Sequence, residues 1–383
     1  MTYVSKLDIV TRARLSTGLD DAAQAALSAA EWAALTNSAV EASITADPAW
    51  VLPAFQQLAP RHPAELVTMK AGHDLAGVAI LEHTRWRWGI PINTWVSWSH
   101  AHHFLGTPLM NARSAVQGFT DLIARGDVIL LTQMTLQGAA MAALREAADE
   151  TGARLSVTAA HERACYRPDG SFAEYFATAF PRKRRKEFRR LRARLEELGT
   201  VRFRSLSARD DIAAWFDRFE ALEASGWKGR NRTAIAQDPQ SSRFFREVAQ
   251  RLKSDGRLLF WELSLDGAPI AMLFAMISGT QAWLGKIAYD ESLARFSPGV
   301  LLMLDVTAEL DRRADLTLVD SCAVPGHSMI DHLWHDRLPI GDVLVTPQTV
   351  PEWRARSLHL LEIGRNRTLA ALRSARTSLF GRS

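Results

Sequence analysis

The residues best suited to chemistry stand at the start of a predicted helix, in the segment Ser297-Pro298-Gly299-Val300-Leu301. Serine is a good N-cap, proline suits the first helical turn, and glycine has no side chain to keep a phosphate away. The first N–H groups of a helix lack partners within it and carry the positive end of its dipole. The segment therefore predicts an anion site, and a plain capped helix is the alternative.

Four side chains near this segment could move protons. Asp290 and Asp320 each end a predicted strand, and partial burial of Asp320 after Val319 would raise its pKa toward that of a useful base. Asp320 is the preferred base, acting directly or through water, with a helix cap or an ion pair as its alternative role. Tyr289 could act as an acid or be a core residue. His327, in a Pro-Gly loop, could be a base, a substrate contact or a solvated residue.

The segment Ser225-Gly226-Trp227-Lys228-Gly229-Arg230 combines glycines with an aromatic ring and two cations. Such a composition suits a loop that closes over a sugar or a phosphate. Trp227 could stack on a sugar ring, while Lys228 and Arg230 could contact the substrate. The alternative is a helix end, with Gly226 as the residue that terminates the helix and the cations near its carboxyl end.

Lys286 and the two cysteines raise separate questions. Lys286 lies within an apolar strand and needs a partner or a ligand if it faces inward, and we expect Asp320 to be that partner.

Cys165 and Cys322 have no partners at metal-ligand spacing, so we predict neither a disulfide framework nor a metal site. A cysteine at a strand end, such as Cys322, more often packs than acts as a nucleophile.

Two cationic segments stand out. The predicted helix from Arg182 to Gly199 has nine Lys or Arg among its first thirteen residues and apolar positions at Phe188, Leu191, Leu195 and Leu198, so that one face packs and the other is cationic. The cationic face is either simply solvated or meets anionic lipid, a nucleotide-linked acceptor or tRNA. Sparse aromatics argue against single-stranded nucleic acid. The Arg-rich tail from Trp353 to Ser383 could bind an anionic regulator such as cyclic di-GMP.

The chain has 383 residues, of which 47% are hydrophobic and 23% charged, as in soluble globular proteins of two domains. The net charge of +4 does not by itself imply a nucleic-acid partner. Charges throughout residues 1–14 argue against a signal peptide, and Pro269 and Ser278-Gly279-Thr280 argue against a membrane span in the apolar run of residues 267–285. We expect a cytoplasmic protein, peripheral to the inner membrane if the cationic helix binds lipid.

The predicted elements repeat. A hairpin turn at His73-Asp74 and another at Asp266-Gly267 each precede a proline loop by about 33 residues, and helix, strand and helix patterns follow in the same order. We predict an α/β (α+β) fold of two related domains with mixed sheets flanked by helices; chance similarity of two α/β units is the alternative. The predicted divisions are residues 1–175, a linking helix at 176–200, a second domain at 201–350 and a tail at 351–383.

The second half resembles the GNAT acetyltransferases, and more closely the CelD/BcsL-type family of bacterial cellulose and exopolysaccharide synthesis. The doubled architecture also resembles the Fem-type aminoacyl transferases of cell-wall synthesis. The resemblance extends over about half the chain and rests on these pieces: residues 225–230, 286–291 and 296–301, Asp320-Ser321-Cys322-Ala323, His327, Asp331 and Trp334.

The resemblance implies acyl transfer from acetyl-CoA or another acyl-CoA to an amine, in this case an amino sugar of an exopolysaccharide or its precursor. It places the phosphates of the donor at Phe296, Ser297, Pro298, Gly299, Val300 and Leu301. In this reaction Asp320, Asp290 or His327 would be the base and Tyr289 the acid, while Trp227, Lys228, Arg230 and Lys286 would bind the acceptor. One departure from the GNAT pattern is that only Gly299 remains of the usual glycine-rich loop.

Two alternative functions remain from the sequence. A Fem-like transferase would use the cationic helix to hold aminoacyl-tRNA, and a binding subunit of a polysaccharide synthase would have no activity.

The first half lacks a glycine after its proline in Gly106-Thr107-Pro108, near His102 and His103. We therefore expect the first half to be inactive and to form one wall of the acceptor cleft.

Overall fold

The computed structural model describes residues 13–15, 28–58, 64–168 and 171–380, with side chains up to Leu372 except those of Ala29 and Ala370 and of the strand at 13–15. The prediction that no signal peptide is present concerns residues 1–14, almost all of which lie outside these ranges. The last three residues of the Arg-rich tail, 381–383, also lie outside them. Within the described ranges, no helix combines the length and apolarity that crossing a bilayer requires.

The described strands and helices follow one another in α/β order. The strands are β1 (Ala13–Leu15), β2 (Ala64–Ala71), β3 (Asp74–Thr84), β4 (Thr94–Ser97), β5 (Leu109–Met110), β6 (Val128–Thr135), β7 (Arg154–Tyr166), β8 (Val201–Ser205), β9 (Leu258–Leu265), β10 (Ala268–Ser278), β11 (Gln281–Tyr289), β12 (Leu318–Asp320) and β13 (Asp336–Thr346). The helices are α1 (Ala29–Asn37), α2 (Pro48–Gln57), α3 (Ala115–Ala124), α4 (Ala139–Thr151), α5 (Phe172–Ala179), α6 (Arg182–Glu196), α7 (Ile212–Ser225), α8 (Trp227–Arg230), α9 (Pro239–Ser254), α10 (Pro298–Asp311) and α11 (Glu352–Phe380).

Contacts group these elements into two units, each built from separate stretches of sequence. The first unit takes the described parts of residues 1–48, 60–162 and 339–383, and the second takes those of 49–59 and 163–338. Grouping by contact does not reveal ancestry, so the domain boundaries at residues 175, 200 and 350 stay a prediction.

The two units have the same strand arrangement. In the first, β2, β3 and β4 form an antiparallel meander, β4 pairs in parallel with β6, and β6 pairs antiparallel with β13. In the second, β9, β10 and β11 form the meander, β11 pairs in parallel with β12, and β12 pairs antiparallel with the end of β7. The strand that completes the first unit thus comes from the end of the chain, and the one that completes the second comes from its middle.

Each sheet is covered by helices over an apolar core. In the first unit α3 and α4 bury Phe119 and Leu144 against strands such as β6. In the second unit α10 contributes Leu302 and Val306 to one core. An aromatic cluster around Phe274 joins α7 and α9 to β10. These cores hold α7, α10 and β11 in fixed positions around the site described below.

Local signals in the sequence explain several element ends. Asp266 and Gly267, between β9 and β10, have φ of 48° and 84°, as a two-residue hairpin turn requires. Asp238 accepts a hydrogen bond from the N–H of Gln240 and Pro239 is the first residue of α9, as expected for a capped helix start. The hairpin predicted at Asp266-Gly267 is therefore confirmed.

Candidate functional site

The helix start predicted at Pro298 is present. Strand β11 ends at Tyr289, a 3₁₀ helix spans Glu291–Phe296, and α10 begins at Pro298. Ser297 occupies the N-cap position with φ of 52°, and its side chain makes no capping hydrogen bond. The prediction that the Ser297 side chain caps the helix is therefore wrong, because the left-handed backbone at Ser297 differs from the extended conformation of ordinary N-caps.

The first turn of α10 offers one free amide. Pro298 has no N–H, and the N–H groups of Val300 and Leu301 both donate to the Ser297 carbonyl, at 3.0 and 3.1 Å. The Gly299 N–H has no acceptor among the described residues. An anion at this position would meet this amide and the positive end of the helix dipole, which is a smaller set of donors than a glycine-rich phosphate loop provides.

Gly299 lies against side chains at the end of β11 and in the segment after His327. A Cβ atom built on Gly299 would lie 3.4 Å from Tyr289 Cδ1 and 3.7 Å from both Ile287 Cδ1 and Met329 Sδ. These are ordinary contact distances, so the position has room for a methyl group. The structure thus brings Tyr289 and the segment after His327 to the start of α10. Phe296 and Leu301, also predicted for donor binding, are buried in the core.

An open cleft of about 220 Å³ begins beside Tyr289. Its lining includes three residues that the sequence predicts for catalysis or substrate binding: Trp227, Lys228 and Tyr289. Two carboxylates that the sequence analysis assigned no role, Glu223 and Glu291, complete its polar lining. The remaining lining residues are Leu222, Gly226, Ile287 and Ala288.

Glu223 organises the inner part of this cleft. Its Oε1 accepts a hydrogen bond from Lys228 Nζ at 3.1 Å and lies 3.7 Å from Lys286 Nζ, and its Oε2 accepts from the Ile235 N–H at 2.7 Å. Burial lowers the pKa of Lys286, which Glu223 opposes and Lys228 reinforces. The prediction that Asp320 is the partner of Lys286 is therefore wrong, because the partner is Glu223. A signal for Glu223 existed, because it lies four residues after Phe219 on the buried face of α7.

Glu291 holds the outer part of the cleft. It accepts a hydrogen bond from the Trp227 N–H and another from Arg230 Nη2, the latter at 2.5 Å. These hydrogen bonds, that of Arg230 first, lower the pKa of Glu291. Residues 227–230 form the short helix α8 rather than the flexible loop predicted, and Gly226 ends α7 as the alternative foresaw.

Asp320 is a buried structural residue. Its Oδ2 accepts from Arg163 Nη2 at 2.5 Å, and its Oδ1 accepts from the Cys322 N–H at 2.9 Å. The side chains of Arg163 and Asp320 are 3% and 1% exposed. With both oxygens occupied and no access to solvent, Asp320 fits its alternative role as an ion-pair partner and not that of a base at the cleft. Arg163 lies 157 positions earlier, where no local pattern marks it.

Asp290 and His327 also have structural hydrogen bonds. Asp290 caps the 3₁₀ helix that follows it, because its Oδ1 accepts from the Ser292 N–H at 2.9 Å. His327 Nδ1 accepts from the N–H groups of Met329 and Ile330 at 3.3 and 3.4 Å, and burial lowers the pKa of His327. This network assigns the proton of the neutral ring to Nε2. His327 is thus a hydrogen-bond donor rather than a base.

The cysteines have no thiolate character. Burial raises the pKa of Cys165 to about 11 and that of Cys322 well above its usual range. Thiolate nucleophiles need a lowered pKa. Packing, the preferred interpretation for Cys322, therefore agrees with its surroundings.

The cationic helix α6 belongs to the second unit and packs on its core through one stripe. Phe188 and Leu195 are buried, and Arg192 forms an ion pair with Asp305 on α10. Burial raises the pKa of Asp305, which Arg192 opposes. Leu198, predicted to pack, is exposed because α6 ends at Glu196. The other face keeps its exposed cations, and its predicted partners stay untested.

The first unit has no comparable helix start at its proline loop. A Cβ atom on Gly106 would lie only 1.9 Å from the Thr132 carbonyl oxygen, so this loop packs tightly on β6. Helix α3 begins only at Ala115. A cleft of about 330 Å³ beside the loop is lined by Thr45, Ser97, Trp98, His103 and the loop at 105–108, among others. That the first half is inactive and walls the acceptor cleft stays a prediction.

His100, beside this cleft, gives a pH-dependent stability. Burial, reinforced by His103 and His102, lowers its pKa from 6.5 to about 2. As the pH falls, His100 is therefore protonated in the unfolded chain before it is protonated in the folded protein. The free energy of unfolding is highest above pH 6.5 and decreases as the pH falls below that value. From pH 7 to 5.5 we expect His100 to cost about 1 kcal/mol. The free energy of unfolding, measured with denaturant at several pH values, should lose this part of its pH dependence in His100→Phe and keep it in His73→Phe, where the replaced side chain is exposed. A free energy that changes with pH in His100→Phe as it does in wild type would contradict this.

Comparison with known proteins finds one matching family model, over part of the chain, and solved structures of similar fold. Residues 182–324 match a family described as the acetyltransferase (GNAT) domain. The crystal structure of FemX is 11% identical with a TM-score of 0.54, covering 86% of this chain and 98% of its own. A conserved protein of unknown function from Bacteroides thetaiotaomicron VPI-5482 is 10% identical with a TM-score of 0.50, covering 84% and 98%. No curated protein matches the chain in sequence. At these identities the structural matches concern the fold alone.

Proposed function

We propose that this protein transfers an acyl group from acyl-CoA to an amine. The proposal starts from the match of residues 182–324 to the acetyltransferase (GNAT) domain family and from the strand arrangement that the two units share. One observation carries the proposal. The start of α10, with its free Gly299 amide, touches Tyr289, and Tyr289 lines the cleft that also contains Trp227 and Lys228. The proposed anion site and the proposed acceptor site are therefore both adjacent to Tyr289.

The proposed reaction is direct attack of the amine on the thioester carbonyl. A C–N bond forms, the C–S bond breaks, and the departing thiolate needs a proton. Tyr289 is the proposed donor of that proton, since its hydroxyl makes no hydrogen bond to the described part of the chain and its ring adjoins Gly299. His327 Nε2–H and the Lys228 ammonium are donors of the kind that stabilise an oxyanion.

The proton lost by the amine has no protein acceptor among the residues proposed from the sequence. Asp320 and Asp290 are both held in structural hydrogen bonds. Arg230 and the Trp227 N–H lower the pKa of Glu291, which makes it a weak base. The cleft is open, and we propose that water carries this proton away.

The proposed acceptor is an amino sugar of an exopolysaccharide or its precursor. Trp227 presents an exposed indole ring at the cleft edge, and Arg230 and Lys228 lie beside it. A flat apolar ring next to hydrogen-bond donors suits a sugar, which has both apolar and hydroxyl-bearing faces. The polysaccharide context rests on the resemblance to the CelD/BcsL-type family.

Calorimetric titration of acetyl-CoA into the purified chain tests the proposal. We expect wild-type binding and at least about a tenfold loss of affinity in Gly299→Asp, because a carboxylate at the start of α10 repels the donor phosphates. Gly299→Asn is the matched control, equal in size but uncharged, and should lose less. Thermal unfolding of both variants verifies that they fold.

Two outcomes would contradict the proposal. Equal binding by wild type and Gly299→Asp would put the donor elsewhere. Absence of binding by the folded wild type would exclude acyl-CoA as donor, and would leave aminoacyl-tRNA or a role without catalysis.

A further inference from the structure

The solvent side of helix α6 is strongly cationic. Its packed side is the stripe of Phe188, Leu191 and Leu195 on the core of the second unit. Lys186 and Arg190 each lie two positions from Phe188, which places them on nearly the opposite side of the helix. Their neighbours at helical spacing are also cations. We call the set the cationic face, and all its members are exposed: Arg182, Lys183, Lys186, Arg189, Arg190 and Arg194.

Few carboxylates oppose these charges. Glu187, at the edge of the cationic face, pairs with Arg190 at 2.8 Å. Within the part of the chain that the structure describes, the other five cations form no ion pair. Glu196 and Glu197 lie beyond the last cation, Arg194. The cationic face therefore keeps a net positive charge along about 18 Å of α6.

Packing restricts how a partner can reach α6. Phe188 and Leu195 are buried two turns apart, and between them Arg192 pairs with Asp305 of α10. Helix α6 is thus attached to the second unit along its length. A partner can approach it only from the side of the cationic face.

The chemistry of the cationic face favours a lipid surface over nucleic acid. Helix α6 contains no Ser, Thr, Asn or Gln, and its one aromatic residue, Phe188, is buried. Contacts to bases need such hydrogen-bonding or stacking side chains. Double-stranded RNA has a deep, narrow major groove, which a helix packed on a domain cannot enter. A bilayer of anionic headgroups requires only cations clustered on one side of a helix.

We propose that the cationic face of α6 binds the anionic headgroups of a lipid bilayer and holds the second unit at its surface. Clusters of about four to eight Lys or Arg on one side of a helix are typical of such binding. The contact is electrostatic, because the cationic face includes no large apolar side chain that could insert among the lipids. The proposal goes beyond acyl transfer and does not depend on it.

Vesicle flotation with the full chain tests the proposal. We expect binding to phosphatidylcholine vesicles that contain about 30% phosphatidylglycerol, little binding to pure phosphatidylcholine, and weakening by salt. Lys186→Glu/Arg189→Glu should weaken binding about thirtyfold or more, since each cation near the surface contributes about fivefold. Both side chains are exposed, so α6 should keep its packing.

A matched variant controls for the change in net charge. Arg113→Glu/Arg145→Glu reverses the same number of charges in the first unit, where both side chains are exposed. It should bind vesicles like wild type, because salt screens charges that lie far from the bilayer. Thermal unfolding of both variants verifies that they fold.

Three outcomes would overturn the proposal. The first is failure of the folded wild type to float with the anionic vesicles at low salt. The second is an equal loss of binding in the two variants, which would attribute the binding to net charge and not to α6. The third is binding to an RNA duplex of about 20 base pairs, but not to vesicles, that the α6 variant abolishes; this would make RNA the partner.

Discussion

Asp320→Asn is expected to lower the free energy of unfolding by about 3–5 kcal/mol. The substitution leaves the Arg163 guanidinium buried and without its negative partner. Asparagine keeps an oxygen for the Cys322 N–H, so the loss reports the charge and not the hydrogen bond. Equilibrium unfolding in urea measures it.

A double variant separates charge from packing. Arg163→Met/Asp320→Asn removes the buried cation together with the carboxylate and should recover most of the lost stability, because buried ion pairs are often replaceable by apolar groups. If Asp320→Asn instead unfolds like wild type but has lost acyl transfer, Asp320 is the base that its sequence position suggested and not a structural ion-pair partner.

Glu223→Ala is the second large effect, with an expected loss of about 3 kcal/mol of stability and of most acyl transfer. The Ile235 N–H loses its acceptor, and Lys228 and Lys286 lose the charge that holds them together. Glu223 opposes the lowering of the Lys286 pKa, so its removal should lower that pKa further. Unfolding in urea and kcat/KM for the amine measure the two effects.

Two substitutions serve as controls for Glu223→Ala. Glu223→Gln keeps an acceptor for Ile235 and should recover stability more than activity. Glu291→Gln lies in the same cleft but removes a charge from a partly exposed pair with Arg230, so stability should change by less than about 1 kcal/mol. Equal losses for Glu223→Gln and Glu291→Gln would contradict the organising role of Glu223.

The features predicted correctly from the sequence are those with local causes. The residues Asp266 and Gly267 favour a tight turn, which predicts the hairpin of β9 and β10. The apolar pattern of β11 and the proline at position 298 predict a strand, a loop and a helix in that order. The duplicated α/β order follows from the same signals, and the fold class is confirmed. The helix start at Pro298 was also marked locally, because a helix start needs only its own first turn, and the anion site predicted there stays a prediction.

The features that the sequence did not reveal depend on distant partners. Nothing near Asp320 marks Arg163, which meets it across two paired strands. The alternative roles predicted for Asp320, a helix cap and an ion pair, were chemically open until the geometry was known. The sequence does not mark Glu223 as a functional residue, because an acid in a helix is usually solvated and only its position on the apolar face of α7 distinguishes it.

The supply of β13 to the first unit sets a time order for folding in the cell. Its residues pair with β6 across about 200 positions of sequence, so the ribosome makes the whole second unit before the first can close. Until then the β6 strand, which begins Val-Ile-Leu-Leu, has an unpaired edge where β13 will bind. An exposed apolar strand edge of this kind recruits chaperones or aggregates. A nascent chain paused before residue 339 would carry a finished second unit and an open first one.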